Sequence, residues 1–326
     1  MTLSYLSRLL CLCFACFFLV QLLLGLATLL IASTATRLAE HIKARSAAHL
    51  LLVLRCTPFA VAVLIVGSLC VPSYLLLEPH TMVEPVGFGC LTAAVLGVGT
   101  CAESIVRAVR AFRSSHRYAQ NCQRCGRRIK LAAHGASTFV VDVPTPCFSL
   151  VGVFCPQLVI SSNVLDNLST DQLDAAVRHE NAHRISRDNL KRLLLLLAPG
   201  MFPFLRGFKT LERAWARFTE CAADDTAVAG SVEESLSLAE ALVRLARLSP
   251  APASSWLFTS LLDDGSDLAF RIERLLSKTS GSEPSSRDSG NFASAAMATA
   301  LGAACVFVLL EPTLSSVHAT LELLIR

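Results

Sequence analysis

Four stretches of the chain are apolar and free of charged side chains over nearly the length of a membrane-spanning helix. They are residues 9–31, 56–77, 86–102 and 292–310. Such a helix takes about 20 apolar residues, so we predict four spans, at about 9–31, 56–77, 86–106 and 292–312. The first stretch is longer than the ~7 to 15 apolar residues of a signal peptide, and we expect it to stay as an uncleaved span.

Basic residues lie on one side of the predicted spans. The loop after the first span contains Arg37, Lys43, Arg45 and Arg55, whereas 77–85 contains two glutamates and no Lys or Arg. Eight more basic residues lie between 107 and 130. The positive-inside rule places both basic stretches in the cytoplasm and the 313–326 tail outside. The sequence therefore predicts a multi-pass protein of the plasma (inner) membrane, with a cytoplasmic domain at 113–277 after the three spans within 1–112.

The composition agrees with a membrane protein. Of the 326 residues, 53% are hydrophobic and 17% are charged, and the mean hydropathy is +0.54, which is more apolar than ordinary soluble domains. The net charge of +4 is small, and the basic residues flank apolar stretches. A topology signal explains them better than nucleic acid does, so we expect the lipid bilayer as a partner and no direct nucleic-acid binding.

The 13 cysteines do not predict a disulfide scaffold, because their number is odd and most lie in apolar stretches where they serve as small hydrophobic residues. A reducing cytoplasm also suits unpaired thiols. Cys122 and Cys125 form a lone C-x-x-C motif. Either they belong to a second metal site, or they lie in a solvated basic loop.

Within the cytoplasmic domain, residues 138–143 and 148–161 are rich in β-branched and aromatic residues and are interrupted by Pro and Gly, which predicts two or three short strands. Helices follow. Residues 193–197 are all leucine but too short to span a bilayer. They predict either the buried end of a helix or an element resting on the membrane. Residues 278–291 are typical of a flexible linker.

The main candidate for chemistry is the H-E-x-x-H motif of His179, Glu180 and His183. Ser169 and Gln172 form a capping-box sequence, which predicts a helix beginning at about Thr170. Two histidines one turn apart on a helix project from the same face and can bind one metal ion. A glutamate beside that ion can accept a proton from water, so Glu180 is the predicted catalytic base.

A second predicted helix, 211–228, supplies the remaining ligand. Its Glu220 can add a carboxylate oxygen, which completes a His2Glu zinc site with one Zn2+ per chain. Asp224 lies one turn further along the same face and can orient a ligand histidine through its second nitrogen. Asp225 is the competitor for that role. The fold expected is a mainly α membrane protein of about four spanning helices, with a cytoplasmic α+β metallopeptidase domain.

These motifs resemble the M56-type membrane metallopeptidases, typified by bacterial beta-lactam antibiotic sensors. The resemblance lies in 179–183 followed by 187–190, in 152–160 upstream and in 220–224 downstream. It implies a zincin-like domain and a zinc-dependent endopeptidase that cleaves a cytoplasmic protein, often a transcriptional repressor, or itself. It also implies that 151–160, with Val151, Gly152 and Val153, pairs with substrate backbone; an ordinary core strand is the alternative. Arg187 and Asp188 are expected to be surface or substrate-side charges.

Since only about a dozen residues follow the last predicted span, an external penicillin-binding domain is not expected, and direct antibiotic sensing is in doubt.

Three alternatives stay open. The M48-type quality-control peptidases share H-E-x-x-H and the E-x-x-x-D helix. A catalytically silent signalling scaffold that keeps the zinc site is the alternative from another class, while a transporter would be expected to carry charges inside its spans.

Overall fold

In the computed structural model, most of the first 279 residues have a described position. The described ranges are 4–78, 86–129, 137–143, 145–200, 207–248, 259–260 and 265–279, together with residues 316, 319 and 320. The predicted fourth span at 292–312 lies outside them, as do most of the linker and the tail. The domain boundaries predicted from the sequence therefore stay predictions.

Three helices are long and apolar enough to cross a membrane. They are α1 (Tyr5–Ala39), the continuous helix formed by α2 (Ala44–Ile65), a π-helical segment (Val66–Cys70) and α3 (Val71–Leu77), and α4 (Phe88–Cys125). The π-helical segment precedes Pro72, which has no N–H for the regular helical ladder. The three helices contain the first three predicted spans.

Helix α4 extends well past the predicted span at 86–106. It continues through the basic stretch to Cys125, so Cys122 is buried on a helix rather than lying in a solvated loop. The loop alternative for this motif is wrong, because no Gly or Pro interrupts the sequence between Gly99 and Gly126. Cys125 is exposed.

A small mixed sheet follows α4. Its strands are β1 (Arg127–Ile129), β2 (Thr138–Val141), β3 (Phe148–Val151), β4 (Gln157–Ser161) and the two-residue β5 (Thr259–Ser260), in the order β1-β2-β4-β3-β5. β2 and β4 are parallel and the other pairs are antiparallel. The two predicted strand regions are confirmed as β2, β3 and β4. β1 and β5 are too short for a sequence pattern.

The remaining elements are helices. They are α5 (Ser162–Asn167), α6 (Thr170–Ser186), α7 (Asp188–Leu197), α8 (Gly207–Val228), α9 (Val232–Leu248) and α10 (Gly265–Thr279). The predicted capping box is present at the start of α6, where the Ser169 hydroxyl accepts from the Gln172 N–H and the Gln172 side chain accepts from the Ser169 N–H. This cap fixes where the motif-bearing helix begins.

Two apolar cores hold these elements. One core joins the sheet to α6, α9 and α10, with Ile160, Ala176, Leu242 and Leu275 at most 1% exposed. The second joins α1 and α2 to α7 and α8, and its members include Leu51, Leu195, Leu211 and Trp215. The helix that carries Glu220 is thus packed directly on two of the three membrane-length helices.

Candidate metal centre

A single residue breaks the helix between the motif and the leucine run. Arg187 adopts the left-handed conformation, with φ 54° and ψ 42°, so α6 ends at Ser186 and α7 begins at Asp188. This conformation is uncommon outside glycine and asparagine. The change in chain direction brings the Asp188 carboxylate back to the ring of His183, five residues earlier, with Oδ2 2.8 Å from Nδ1.

Three side chains, two on α6 and one on α8, bring their possible metal-binding atoms close together. The Nε2 atoms of His179 and His183 are 3.0 Å apart. Oε2 of Glu220 lies 3.4 Å from the first and Oε1 lies 3.5 Å from the second. In a tetrahedral zinc site with Zn–N bonds of about 2.0–2.1 Å, ligand atoms are roughly 3.3 Å apart. The buried His179, His183 and Glu220 group could therefore hold a metal ion.

The hydrogen-bonding surroundings of the histidines fit a cation. Nδ1 of His179 lies 2.9 Å from Oδ1 of Asp224, and Nδ1 of His183 faces Asp188. Since a carboxylate only accepts, each Nδ1 carries a ring proton and the Nε2 atoms are the ones that face a metal position. Glu220 has two buried oxygens that receive no directed hydrogen bond from the described residues.

Asp188 is the first residue whose role the sequence prediction missed. It is 2% exposed and forms an ion pair with Lys191 at 2.8 Å as well as contacting His183, so its assignment to a surface charge is wrong, whereas a substrate-side role stays a prediction. In a regular helix, residues five apart do not face each other. The sequence therefore offered no reason to pair it with His183, while Arg187 is exposed as expected.

Arg271 is the second missed residue. Its guanidinium, 2% exposed, donates to both oxygens of Asp224 at 2.8 and 2.7 Å, and its Nη1 lies 3.2 Å from Oε2 of Glu220. One signal was available: Arg271 is three residues after Leu268 and four before Leu275, which places a cation on the apolar face of α10.

Asp225, the competitor for the orienting role, faces away from the histidines. It forms a two-pronged ion pair with Arg274 at 2.6 and 2.7 Å, and both side chains are about 30% exposed. Asp224 is the acidic residue that contacts the ligand histidine. Two Arg–Asp pairs, one buried and one at the surface, thus fasten α10 to α8.

The charges at the site shift its pKa values strongly. Burial lowers the pKa of His183, but the carboxylates of Glu220 and Asp188 outweigh it and raise that pKa to about 10. Burial likewise acts to raise the pKa of Glu220, yet the neighbouring His183 and His179 hold it well below its usual range. Without a metal, His183 therefore carries a second ring proton, on Nε2, at neutral pH.

We expect zinc binding to displace that proton. At pH 7, zinc should release about one proton from His183. For each proton released, the zinc affinity should rise about tenfold per pH unit, up to about pH 10. Lowering the pH weakens binding because the protonated ring has no free lone pair. Isothermal titration calorimetry in buffers of different ionisation enthalpy measures the released protons. The Asp188→Asn variant should release fewer protons. If the wild-type chain releases no proton when zinc binds, the assignment of His183 as a metal ligand would be contradicted.

Glu180 and an adjacent cavity complete the site. Glu180 is 1% exposed and near enough for its charge to raise the pKa of His183. A cavity of about 560 Å³ opens beside His183, between the 153–157 turn and the junction of α6 and α7. Of the three candidate metal ligands, His183 lines this cavity.

The predicted substrate strand lies next to this cavity. Val151 is the last residue of β3 and pairs with Gln157, Gly152 has a φ of 103°, and Val153 is buried in the turn. Nδ2 of Asn189 donates to the carbonyls of Leu150 and Gly152, and β5 pairs with Ser149 and Leu150. The sequence did not single out Asn189, which joins β3 to the start of α7.

Comparison of the chain with protein-family models, curated proteins and solved structures gave no match. The described part of the chain has three helices long and apolar enough to cross a membrane. It also has a buried His2Glu group that could hold a metal ion.

Proposed function

We propose that this chain is a membrane-embedded zinc endopeptidase of the M56 type. The observation that carries the proposal is the pairing of each motif histidine with its own carboxylate, at the point where both Nε2 atoms meet Glu220. A helix with two ordinary histidines has no need of two buried aspartates in these positions. The arrangement is that of a site built to hold two imidazole Nε2 atoms aimed at one cation.

When bound, zinc supplies Lewis acidity that polarises a peptide carbonyl and acidifies a water molecule. Glu180 accepts the proton of the attacking water and passes it to the departing amide nitrogen, so the carboxylate is regenerated. Asp224 and Asp188 hold the imidazoles in the Nδ1–H form. Arg271 neutralises part of the carboxylate charge around Glu220.

The proposed substrate is a cytoplasmic protein, for example a transcriptional repressor, or this chain itself. The sequence resemblance supports this class, and the cavity beside His183 supports an approach along the 151–153 turn. The proposed location is the plasma membrane, with the catalytic residues on the cytoplasmic side, as the distribution of basic residues indicates.

Comparison of the wild-type chain with Glu180→Gln in membranes of the native cell tests the peptidase activity. Glu180→Gln keeps the shape of the side chain and the three metal ligands but cannot accept a proton. Mass spectrometry of new protein N-termini should find at least one terminus that forms with the wild-type chain and with the control Glu233→Gln, but not with Glu180→Gln.

The same experiment separates the peptidase from the alternatives. If the purified chain holds zinc and no N-terminus depends on Glu180, the peptidase is excluded and the silent signalling scaffold takes its place. If the dependent termini belong to many damaged membrane proteins, the activity is of the M48-type quality-control class. A short defined set of regulators is the result that we expect.

A further inference from the structure

The chain just after α7 contacts α1 far from the end of that helix. Nε2 of Gln21 donates to the carbonyl oxygen of Pro199 at 3.0 Å. Gln21 is close to the middle of an uncharged run of 28 residues, from Leu9 to Thr36. At 1.5 Å per residue, it lies about 20 Å along the helix from Arg8 and about 24 Å from Arg37. If α1 spans a membrane, Pro199 lies within the bilayer.

The backbone at this depth is satisfied by side chains of the long helices. Helix α7 ends at Leu197, so the next carbonyls have no helical partner. Nη2 of Arg55 donates to the carbonyl of Ala198 at 3.0 Å, and Gln21 donates to the carbonyl of Pro199. In a bilayer, irregular backbone is tolerated only where protein supplies the missing hydrogen bonds. Arg55 is itself paired with Glu212 of α8 at 2.8 Å.

The sequence between these contacts is apolar. Residues 193–205 contain no charged or strongly polar side chain, and 13 residues are too few to span a bilayer but enough to enter one leaflet. Leu195 packs in the core shared with α1 and α2, while Leu194 on the outer side of α7 is 47% exposed. In water the exposed half of this leucine side chain would face solvent, whereas in a bilayer acyl chains would cover it.

We propose that the leucine end of α7 inserts into the bilayer beside α1 and α2, from the side on which α1 ends, with lipid acyl chains against Leu194. This inference goes beyond the proposed function and depends on α1 crossing a membrane, not on peptidase activity. Since Asp188 is 11 residues from Pro199, about 16 Å along a helix, the metal-ligand group then lies close to the bilayer surface.

Photolabelling of the full-length chain in phosphatidylcholine vesicles tests this placement. One vesicle sample contains a phospholipid with a diazirine in the middle of an acyl chain, and the other contains a phospholipid with the diazirine on the headgroup. Mass spectrometry then locates the labelled residues. Leu23 of α1, 70% exposed, is the positive reference, and Leu236 of α9, 42% exposed, is the matched leucine on a helix outside the proposed insertion.

We expect the acyl-chain probe to label the peptide that contains Leu194 within fivefold of the peptide that contains Leu23, and at least tenfold above the peptide that contains Leu236. Labelling below either threshold, or labelling by the headgroup probe alone, overturns the proposal. If Leu23 itself is not labelled by the acyl-chain probe, α1 does not span the bilayer and the proposal fails with it. None of these results bears on whether Glu180 supports peptide cleavage.

Discussion

Glu220→Ala is expected to reduce the zinc content of the purified chain from about one ion per chain to less than a tenth of that. The substitution leaves two imidazoles and removes the only carboxylate that reaches both of them in the described part of the site. Loss of a residue that merely orients a ligand costs about 10- to 100-fold in metal affinity, so loss of a ligand should cost more. Elemental analysis of monodisperse, detergent-purified protein measures the ratio.

Two controls make this result specific. Glu233→Ala changes an exposed glutamate on α9 and should keep the full zinc content. Glu220→Gln preserves the volume and one neutral oxygen, so it should bind zinc with intermediate affinity. Circular dichroism should show unchanged helix content in all three variants. Wild-type protein without zinc, or Glu220→Ala with it, would contradict the ligand set.

Arg271→Met is expected to destabilise the metal-free chain by about 3–5 kcal/mol, the typical cost of removing one partner from a buried ion pair. Asp224 would stay behind as a buried carboxylate with its two-pronged partner gone. The Glu220 carboxylate would also lose the guanidinium 3.2 Å away, and zinc affinity should fall by roughly 10- to 100-fold. Thermal unfolding in detergent, with and without a chelator, gives both quantities.

The chain provides a matched comparison on the same helix. Arg274→Met removes a two-pronged ion pair of similar geometry that is partly exposed, and such pairs contribute about 1 kcal/mol or less. The double variant Arg271→Met with Asp224→Leu should regain stability, because no buried charge is left unpaired, yet should still bind zinc weakly. Equal losses from Arg271→Met and Arg274→Met would show that Arg271 has no special role at the site.

The sequence predicted the features that depend on short-range pattern. The spans follow from apolar run length, the beginning of α6 from the capping box, and the three donor residues from helical spacing on α6 and α8. In each case the determining residues lie within one or two turns of each other, and local spacing alone fixes their geometry.

The features that escaped prediction depend on chain reversal or on distant contacts. Asp188 meets His183 only because Arg187 leaves the helical conformation, and the sequence does not mark this residue for a positive φ. Arg271 reaches Asp224 from 47 residues further along the chain. β5 has two residues, which is too few for any periodicity. Such contacts are selected by the packing of whole elements rather than by neighbours in sequence.

The core shared by α2 and α8 has a consequence for biosynthesis. Leu51 and Leu211 both belong to it, yet the ribosome makes them 160 residues apart, and Leu211 loses the α1 and α2 side of this core when the first two helices are absent. Contacts so distant in sequence form late in folding. A released carboxy-terminal fragment would expose Leu211 and Trp215 and aggregate. The helix that carries Glu220 therefore depends on the amino-terminal helices for part of its apolar cover.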